Sequence, residues 1–278
     1  MFKTLQVPVK ANNQNDFVNF YQSLDVLIEN WKKTKSAVYD FVADDEIQHT
    51  IWVVNDTSTI DNITAIFNNE IPCTYIADGH HRAASAAKVR AALGANATKN
   101  ADYFLTTLFP SNQLYIMDYN RVVKDLNGLT NEAFIEAVST KFDIEQLAKE
   151  PFSPSVLHEF GMYINGCWYQ LTAKAGSFTE DPIGILDVTI LQNNILDAIL
   201  GISDPRTDVR VDFVGGIRGL QVLADRVDSG QFAAAFSLYA VTIDQLFSIA
   251  DSGNVMPPKS TWFEPKLRDG LLTHLIYE

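Results

Sequence analysis

Through residues 15–33 apolar side chains recur at helical spacing. Phe17, Phe20, Tyr21, Leu24, Leu27, Ile28 and Trp31 share one face, which predicts an amphipathic helix. A shorter period then takes over. SAVYDFVA and HTIWVV flank the acidic turn Asp44-Asp45-Glu46 and predict an antiparallel pair of strands. Residues 58–69 are again helical in pattern. IPCTYIA at 71–77 is a continuous apolar run that predicts a buried strand, and the Ala-rich AASAAKVRAAL at 83–93 predicts a helix. Residues 94–102 are polar and loop-like. They precede two expected strands, YFLTTLF and QLYIMDY, separated by Pro110-Ser111-Asn112, and a helix near 130–140.

The second half alternates in the same way. Short strands are expected over 141–172, among them LHEFGMYI and CWYQL joined by an Asn165-Gly166 hairpin turn. A loop, TAKAGSFTEDP, leads to a helix over 186–200 that Gly201 can end. The strand VRVDFV, the helix IRGLQVLADRVDSG and the strand FAAAFSLYAV follow. No fixed-period repeat or low-complexity block is present. The pattern therefore predicts an α/β protein of mixed α+β type, with mixed sheets and flanking helices. In domain terms, 1–34 reads as an N-terminal helical segment and 35–278 as an α/β region with room for two intertwined subdomains.

Composition narrows the function classes. The chain has 278 residues, 47% hydrophobic and 20% charged, in the range of globular proteins. Its formal net charge of -13 argues against a nucleic-acid coat, which needs many Lys and Arg on phosphates, and no basic helix-turn-helix or tail is visible. Any anion site must be a local cluster of cations in an acidic surface. Cys73 and Cys167 are the only cysteines and form no CxxC or disulfide framework, which fits a reducing compartment. No signal-peptide pattern opens the chain, and no apolar run approaches the roughly 18 residues of a membrane span. A cytoplasmic protein with no membrane partner is expected. Nothing in the sequence requires or excludes an oligomer.

Candidate chemistry falls in three blocks. In the first, the apolar run 71–77 enters Asp78-Gly79-His80-His81-Arg82 and then a helix of small residues. Helix starts carry unpaired N–H groups and partial positive charge, so cations there are unfavourable. A phosphate among His80, His81 and Arg82 relieves that conflict, with Gly79 letting the backbone come close and Asp78 able to hold a magnesium ion accompanying a nucleotide. The bland reading makes Asp78 an N-cap, Gly79 a turn residue and Arg82 a surface charge. Adjacent His80 and His81 diverge on a helix, so they do not suit one metal ion.

The second block is Asp204-Pro205-Arg206-Thr207-Asp208, the strand VRVDFV, and Gly215-Gly216-Ile217-Arg218-Gly219. Gly215 and Gly216 allow close backbone approach to a ligand, and Asp212 needs a partner such as Arg206 or Arg218. A structural Asp–Arg pair with a tight turn is equally open. The third block, residues 255–267, is stiffened by three prolines. Lys259 and Lys266 offer charge for phosphate, Ser260 a hydroxyl, and Glu264 an acid/base group beside Trp262 and Phe263. A rigid loop burying the two rings fits as well. GxxxxGK[ST], GxGxxG, GxSxG and HExxH are all missing.

The runs YIADGHHRAASAAK, DPRTDVRVDFVGGIRG and MPPKSTWFEPKLRDGLLTHL together resemble, in order, the blocks of the family called domain of unknown function 1015. The likeness covers roughly 35–278. The DGHHR loop is in turn similar to the short His-Arg motif of the ParB and sulfiredoxin superfamily, which binds ATP, ADP or CTP and includes free-serine kinases. That resemblance implies a ParB/sulfiredoxin-like nucleotide site. Asp78, Gly79, His80, His81 and Arg82 would hold phosphates, and Lys259, Ser260 and Lys266 would complete the site. The function it implies is a phosphotransferase using ATP or ADP with Mg on a small hydroxyl metabolite, free L-serine first. The alternative is a non-catalytic nucleotide- or phosphate-binding protein. The glutamate base expected upstream of the loop matches no motif here, which leaves an upstream carboxylate outside any motif, Glu264, or a base that has been lost.

Overall fold

The computed structural model describes residues 14–147, 150–268 and 270–277, without the side chains of 14–22 and His80. The chain forms two compact units. One comprises residues up to Pro110 together with Arg268–Glu278, and the other Ser111–Leu267.

The first unit opens with α1 (Gln14–Thr34), followed by β1 (Tyr39–Val42) and β2 (Gln48–Ile51), which pair antiparallel in the register Tyr39↔Ile51 to Val42↔Gln48. Helix α2 (Thr57–Asn69) is capped by Asp56, whose carboxylate accepts the Thr59 N–H at 2.8 Å. Helix α3 spans His80–Leu93. The closing residues are tied in by His274 Nε2 against the Asn100 carbonyl at 2.9 Å, by Thr98 Oγ1 donating to the Ile276 carbonyl, and by the Arg268–Asp45 ion pair.

Two expected strands are not found here. Residues 71–77 and 103–109 pair with no strand among the described residues, and Ile76, Leu105 and Leu108 are about half exposed. An apolar run shows only that a segment likes burial. A strand also needs a hydrogen-bonding neighbour, which the run itself cannot reveal.

The second unit is built on a six-stranded sheet of β4 (Tyr119–Val123), β5 (Phe142–Gln146), β6 (Glu159–Ile164), β7 (Cys167–Ala173), β8 (Val211–Gly215) and β9 (Ala234–Leu238). Their order is β5-β7-β6-β9-β4-β8, and every pairing is antiparallel. A separate ribbon joins β3 (Tyr115–Met117) to β10 (Trp262–Glu264). The β6–β7 hairpin turns on Asn165 and Gly166, both at positive φ (51° and 76°), as a tight primed turn requires. The expected strand QLYIMDY covers β3 but ends at Tyr119, where β4 begins, so β4 itself is not foreseen by the pattern. The chain changes partner at Asp118, the residue between them.

Alternation along the strands sends side chains to two faces. Val123, Met162, Ile164, Leu171, Ala234 and Phe236 pack with Phe134 and Val138 of α4 (Asn131–Ser139) and with Leu191 of α5 (Asp187–Leu191). On the other face Val122, Tyr163, Trp168, Val214 and Ala235 pack with Leu223 and Ala224 of α6 (Gln221–Asp228). Sheet and helices thus form three layers. Each large buried side chain contributes about 1.5–3 kcal/mol by leaving water. Helix α7 (Ile243–Asp251) begins in a Thr242/Gln245 capping box and adds Ile249 to the first face.

Two polar features sit inside these layers. The Asp187 carboxylate, 3% exposed, accepts the His158 N–H at 2.9 Å through Oδ1, while Oδ2 meets no partner among the described residues. Burial pushes this carboxyl up to about 7, outweighing the opposing effect of the His158 hydrogen bond. At the sheet centre, Gly161 lies beneath the fully buried Ser237, whose hydroxyl donates to the Phe152 carbonyl at 2.8 Å.

Candidate anion-binding sites

The turn before α3 has a backbone suited to an acceptor. Gly79 adopts φ 87°, ψ 20°, a left-handed conformation that an L side chain rarely takes, and acts as the N-cap without any side-chain cap. By contrast α2, α4 and α7 are capped by Asp56, Thr130 and Thr242. The first turn of α3 carries no acidic residue, and its first three positions are His80, His81 and Arg82. His81 and Arg82 are exposed. The Arg82 guanidinium folds back over Gly79, where an added Cβ would lie 3.2 Å from its Nε, and stands 3.8 Å from the Asp78 carboxylate. Asp78 also accepts the Gly79 N–H at 2.7 Å, so it screens one edge of the turn. The expected conflict between cations and helix start is therefore eased in part by the chain's own carboxylate.

Among the described residues no group of three or more His, Cys, Asp or Glu could hold a metal ion. One carboxylate at the turn fits a magnesium ion carried mainly by nucleotide phosphates and water, the usual arrangement for that ion. It does not fit a dedicated all-protein metal site.

Inside the second unit, the Gly215-Gly216 and Lys259–Lys266 segments come together around residues 118–121. Gly215 lies against Trp262, where an added Cβ would stand 2.7 Å from the indole, and Gly216 lies beneath Asp118, whose carboxylate an added Cβ would overlap. What approaches these glycines is thus the protein's own ring and carboxylate. Trp262 meets Tyr119 edge-on at 5.5 Å. Its Nε1 donates to Glu264 Oε1 at 2.7 Å, while Glu264 Oε2 accepts the Lys266 N–H at 3.1 Å. Lys266 Nζ stands 5.2 Å from the Trp262 ring. The Ser260 hydroxyl is buried and donates to the Pro257 carbonyl at 2.6 Å.

Arg121 and Asn120 are the residues that sequence reasoning missed. Asn120 is fully buried, donates to Asp118 and accepts the Leu238 N–H at 3.0 Å. Arg121, 4% exposed, donates to the carbonyls of Tyr119 and of Lys259, the latter at 2.8 Å, and its guanidinium lies 5.1 Å from the Phe213 ring. Burial lowers its pKa to about 10. The available signal was the stretch Asp118-Tyr119-Asn120-Arg121 set between apolar Ile116-Met117 and Val122-Val123.

Asp212 and Arg218 stay outside this cluster. The partner of Asp212 is Arg226, at 2.7 Å, rather than Arg206 or Arg218. Arg206 is held by Asp204 at 2.8 Å and 2.9 Å, and Arg218 is exposed. Partial burial raises the Asp212 carboxyl, but hydrogen bonds from Arg226 and the Phe213 N–H outweigh it, so the pKa is lowered. The same Asp-x-Arg device recurs at Asp208 and Arg210, where the guanidinium also caps the carbonyls of Leu200 and Gly201.

A family model described as a protein of unknown function (DUF1015) matches residues 16–189. No curated protein matches the chain. Among solved structures, a free serine kinase in complex with AMP is 12% identical, with 94% of this chain and 90% of that chain covered at a TM-score of 0.37. A mutant free serine kinase in complex with ADP is 13% identical, with 92% and 83% covered at 0.36. A conserved hypothetical protein from Pyrococcus furiosus is 12% identical, with 92% and 86% covered at 0.35. Among the described residues no helix is long and apolar enough to cross a membrane.

Proposed function

Since this chain belongs to the family described as a protein of unknown function (DUF1015), we propose for it a nucleotide-dependent phosphotransferase activity, cytoplasmic, on a small hydroxyl-bearing metabolite. The observation that carries the reading is the start of α3: a left-handed Gly79, no side-chain cap, and a first turn of His and Arg without an acid. Free N–H groups, the helix dipole and Arg82 all favour an anion there, and a nucleotide phosphate is the anion that the resemblance of the turn suggests. Phosphoryl transfer asks little covalent chemistry of a protein. It needs positioning and positive charge around the moving group. In the proposal His80, His81 and Arg82 supply that charge. Asp78 orients the turn and touches the magnesium ion that accompanies ATP or ADP. Free L-serine is the acceptor to test first, because the turn resembles the His-Arg motif of a superfamily that includes free-serine kinases.

Arg82→Ala is expected to weaken ATP or ADP binding at least tenfold, about 1.4 kcal/mol. Unliganded thermal stability stays unchanged, because the side chain is 62% exposed and its ion pair with Asp78 is a surface one. Calorimetric titration and a melting curve read both. An unfolded variant, or one that binds nucleotide as well as the parent, counts against the proposal. Incubation with ATP, magnesium and a panel of hydroxyl amino acids then tests turnover.

A second reading, a binding protein without catalysis, is favoured by one observation. Both oxygens of Glu264, the carboxylate considered as base, are already occupied by Trp262 and Lys266. Nucleotide affinity with no phosphorylated product from any acceptor selects it.

A further inference from the structure

We infer that Arg121 and Lys259 form a second anion subsite, contained within the Ser111–Leu267 unit and suited to a doubly charged oxyanion such as a phosphate group. This inference does not rest on the turn at Gly79.

The argument begins with charge. In a chain of net charge -13, six of the eight arginines, Arg82, Arg90, Arg206, Arg210, Arg226 and Arg268, find carboxylates among the described residues. Arg121 does not. Its guanidinium is 4% exposed, carries five N–H donors, and is met by two backbone carbonyls and the faces of Tyr119 and Phe213. A buried cation without an anion is costly, and rings and carbonyls compensate only part of that cost. Lys259 Nζ reaches the same Tyr119 ring at 5.8 Å, against 5.9 Å for the Arg121 guanidinium carbon. Two cations therefore converge on one ring. The carboxylates nearest in the cluster are engaged elsewhere, Asp118 by Asn120, and Glu264 by Trp262 and Lys266.

Backbone conformation supplies an independent observation. Lys259 follows Pro258 in a turn and holds φ 57°, a position where Gly or Asn is ordinary and Lys is not. The surroundings impose it: Arg121 grips the Lys259 carbonyl from below, and the Ser260 hydroxyl closes the turn on Pro257. Unfavourable backbone held this way clusters at ligand sites. Arg121 supplies a weakly screened charge from beneath, and the exposed Lys259 supplies the contact at the surface.

The test uses the full chain carrying Arg82→Ala, so that binding at the other turn is weakened. Inorganic phosphate is titrated by calorimetry, and the melting midpoint is followed in sodium phosphate, sulfate, acetate and chloride at equal ionic strength. Phosphate and sulfate are expected to raise the midpoint saturably above chloride, and acetate is not. Adding Lys259→Asn, which suits left-handed backbone while deleting the charge, is expected to weaken phosphate binding at least tenfold with the unliganded midpoint unchanged. Lys259→Gln serves as a second variant should Asn disturb folding. The inference is overturned if phosphate acts no more strongly than chloride, if acetate matches it, or if both Lys259 variants bind phosphate like the parent. Failure of Arg82→Ala to affect nucleotide binding sinks the proposed function and leaves this subsite standing.

Discussion

Asp187→Asn stabilises the Ser111–Leu267 unit above neutral pH, by as much as about 4 kcal/mol, and flattens its pH dependence. The folded carboxyl titrates near 7 against 3.8 in the open chain, because burial penalises the charge and a single backbone N–H does not offset it. A shift of that size is worth about 4 kcal/mol. Its sign follows from which state binds the proton. Below 3.8 both states are protonated and the folded state keeps its full stability. As pH rises towards 7, the unfolded chain ionises while the folded one resists, so stability falls and then levels. Asn keeps the acceptor for His158 and removes the ionisation. Denaturation between pH 4 and 8, with hydrogen exchange in β6 and β9 reporting this unit, is expected to show a falling wild-type curve and a flat variant. Parallel curves would remove Asp187 as the titrating group.

The second large effect is expected at the sheet centre. Gly161→Ala places a Cβ 2.2 Å from Ser237 Oγ, 3.0 Å from the Phe152 carbonyl and 3.1 Å from Trp168, all within closely packed surroundings. Strand β6 is hydrogen-bonded on both sides, so the backbone cannot yield without disturbing β7 and β9. If Ser237 turns away, it abandons the Phe152 carbonyl. Overpacking and a lost buried hydrogen bond together predict a loss of about 3 kcal/mol. Ser237→Gly in the same chain is expected to recover the steric part, and a double-mutant cycle isolates it. An additive cycle would contradict the contact.

The elements that were legible share a cause. The α1, α2, α3 and α4 helices, the β1–β2 pair and the Asn165-Gly166 hairpin each depend on neighbours in sequence, through periodicity or turn chemistry. The mixed α+β class followed from their alternation. What depended on distant partners was not legible. Residues 71–77 have strand composition without a strand partner, and the Asp212–Arg226 pair needed knowledge of where α6 lies. Helix α7 went unread although its Thr242/Gln245 signal is local. At the candidate sites the Gly79 turn was readable because its chemistry is contiguous. Arg121 was not, since its meaning comes from a carbonyl 138 positions along the chain.

The first unit is assembled from two segments that flank residues 111–267, and this decides what a shortened chain can fold. A chain shortened to end at Leu267 keeps residues 111–267 whole, so the sheet unit can fold while the other lacks its last piece. Such a chain lacks the contacts of His274 and Ile276 with Asn100 and Thr98. There the Gly79 turn belongs to an unfinished body, and the purified shortened chain is expected to resist protease over 111–267 while being cut within 35–110.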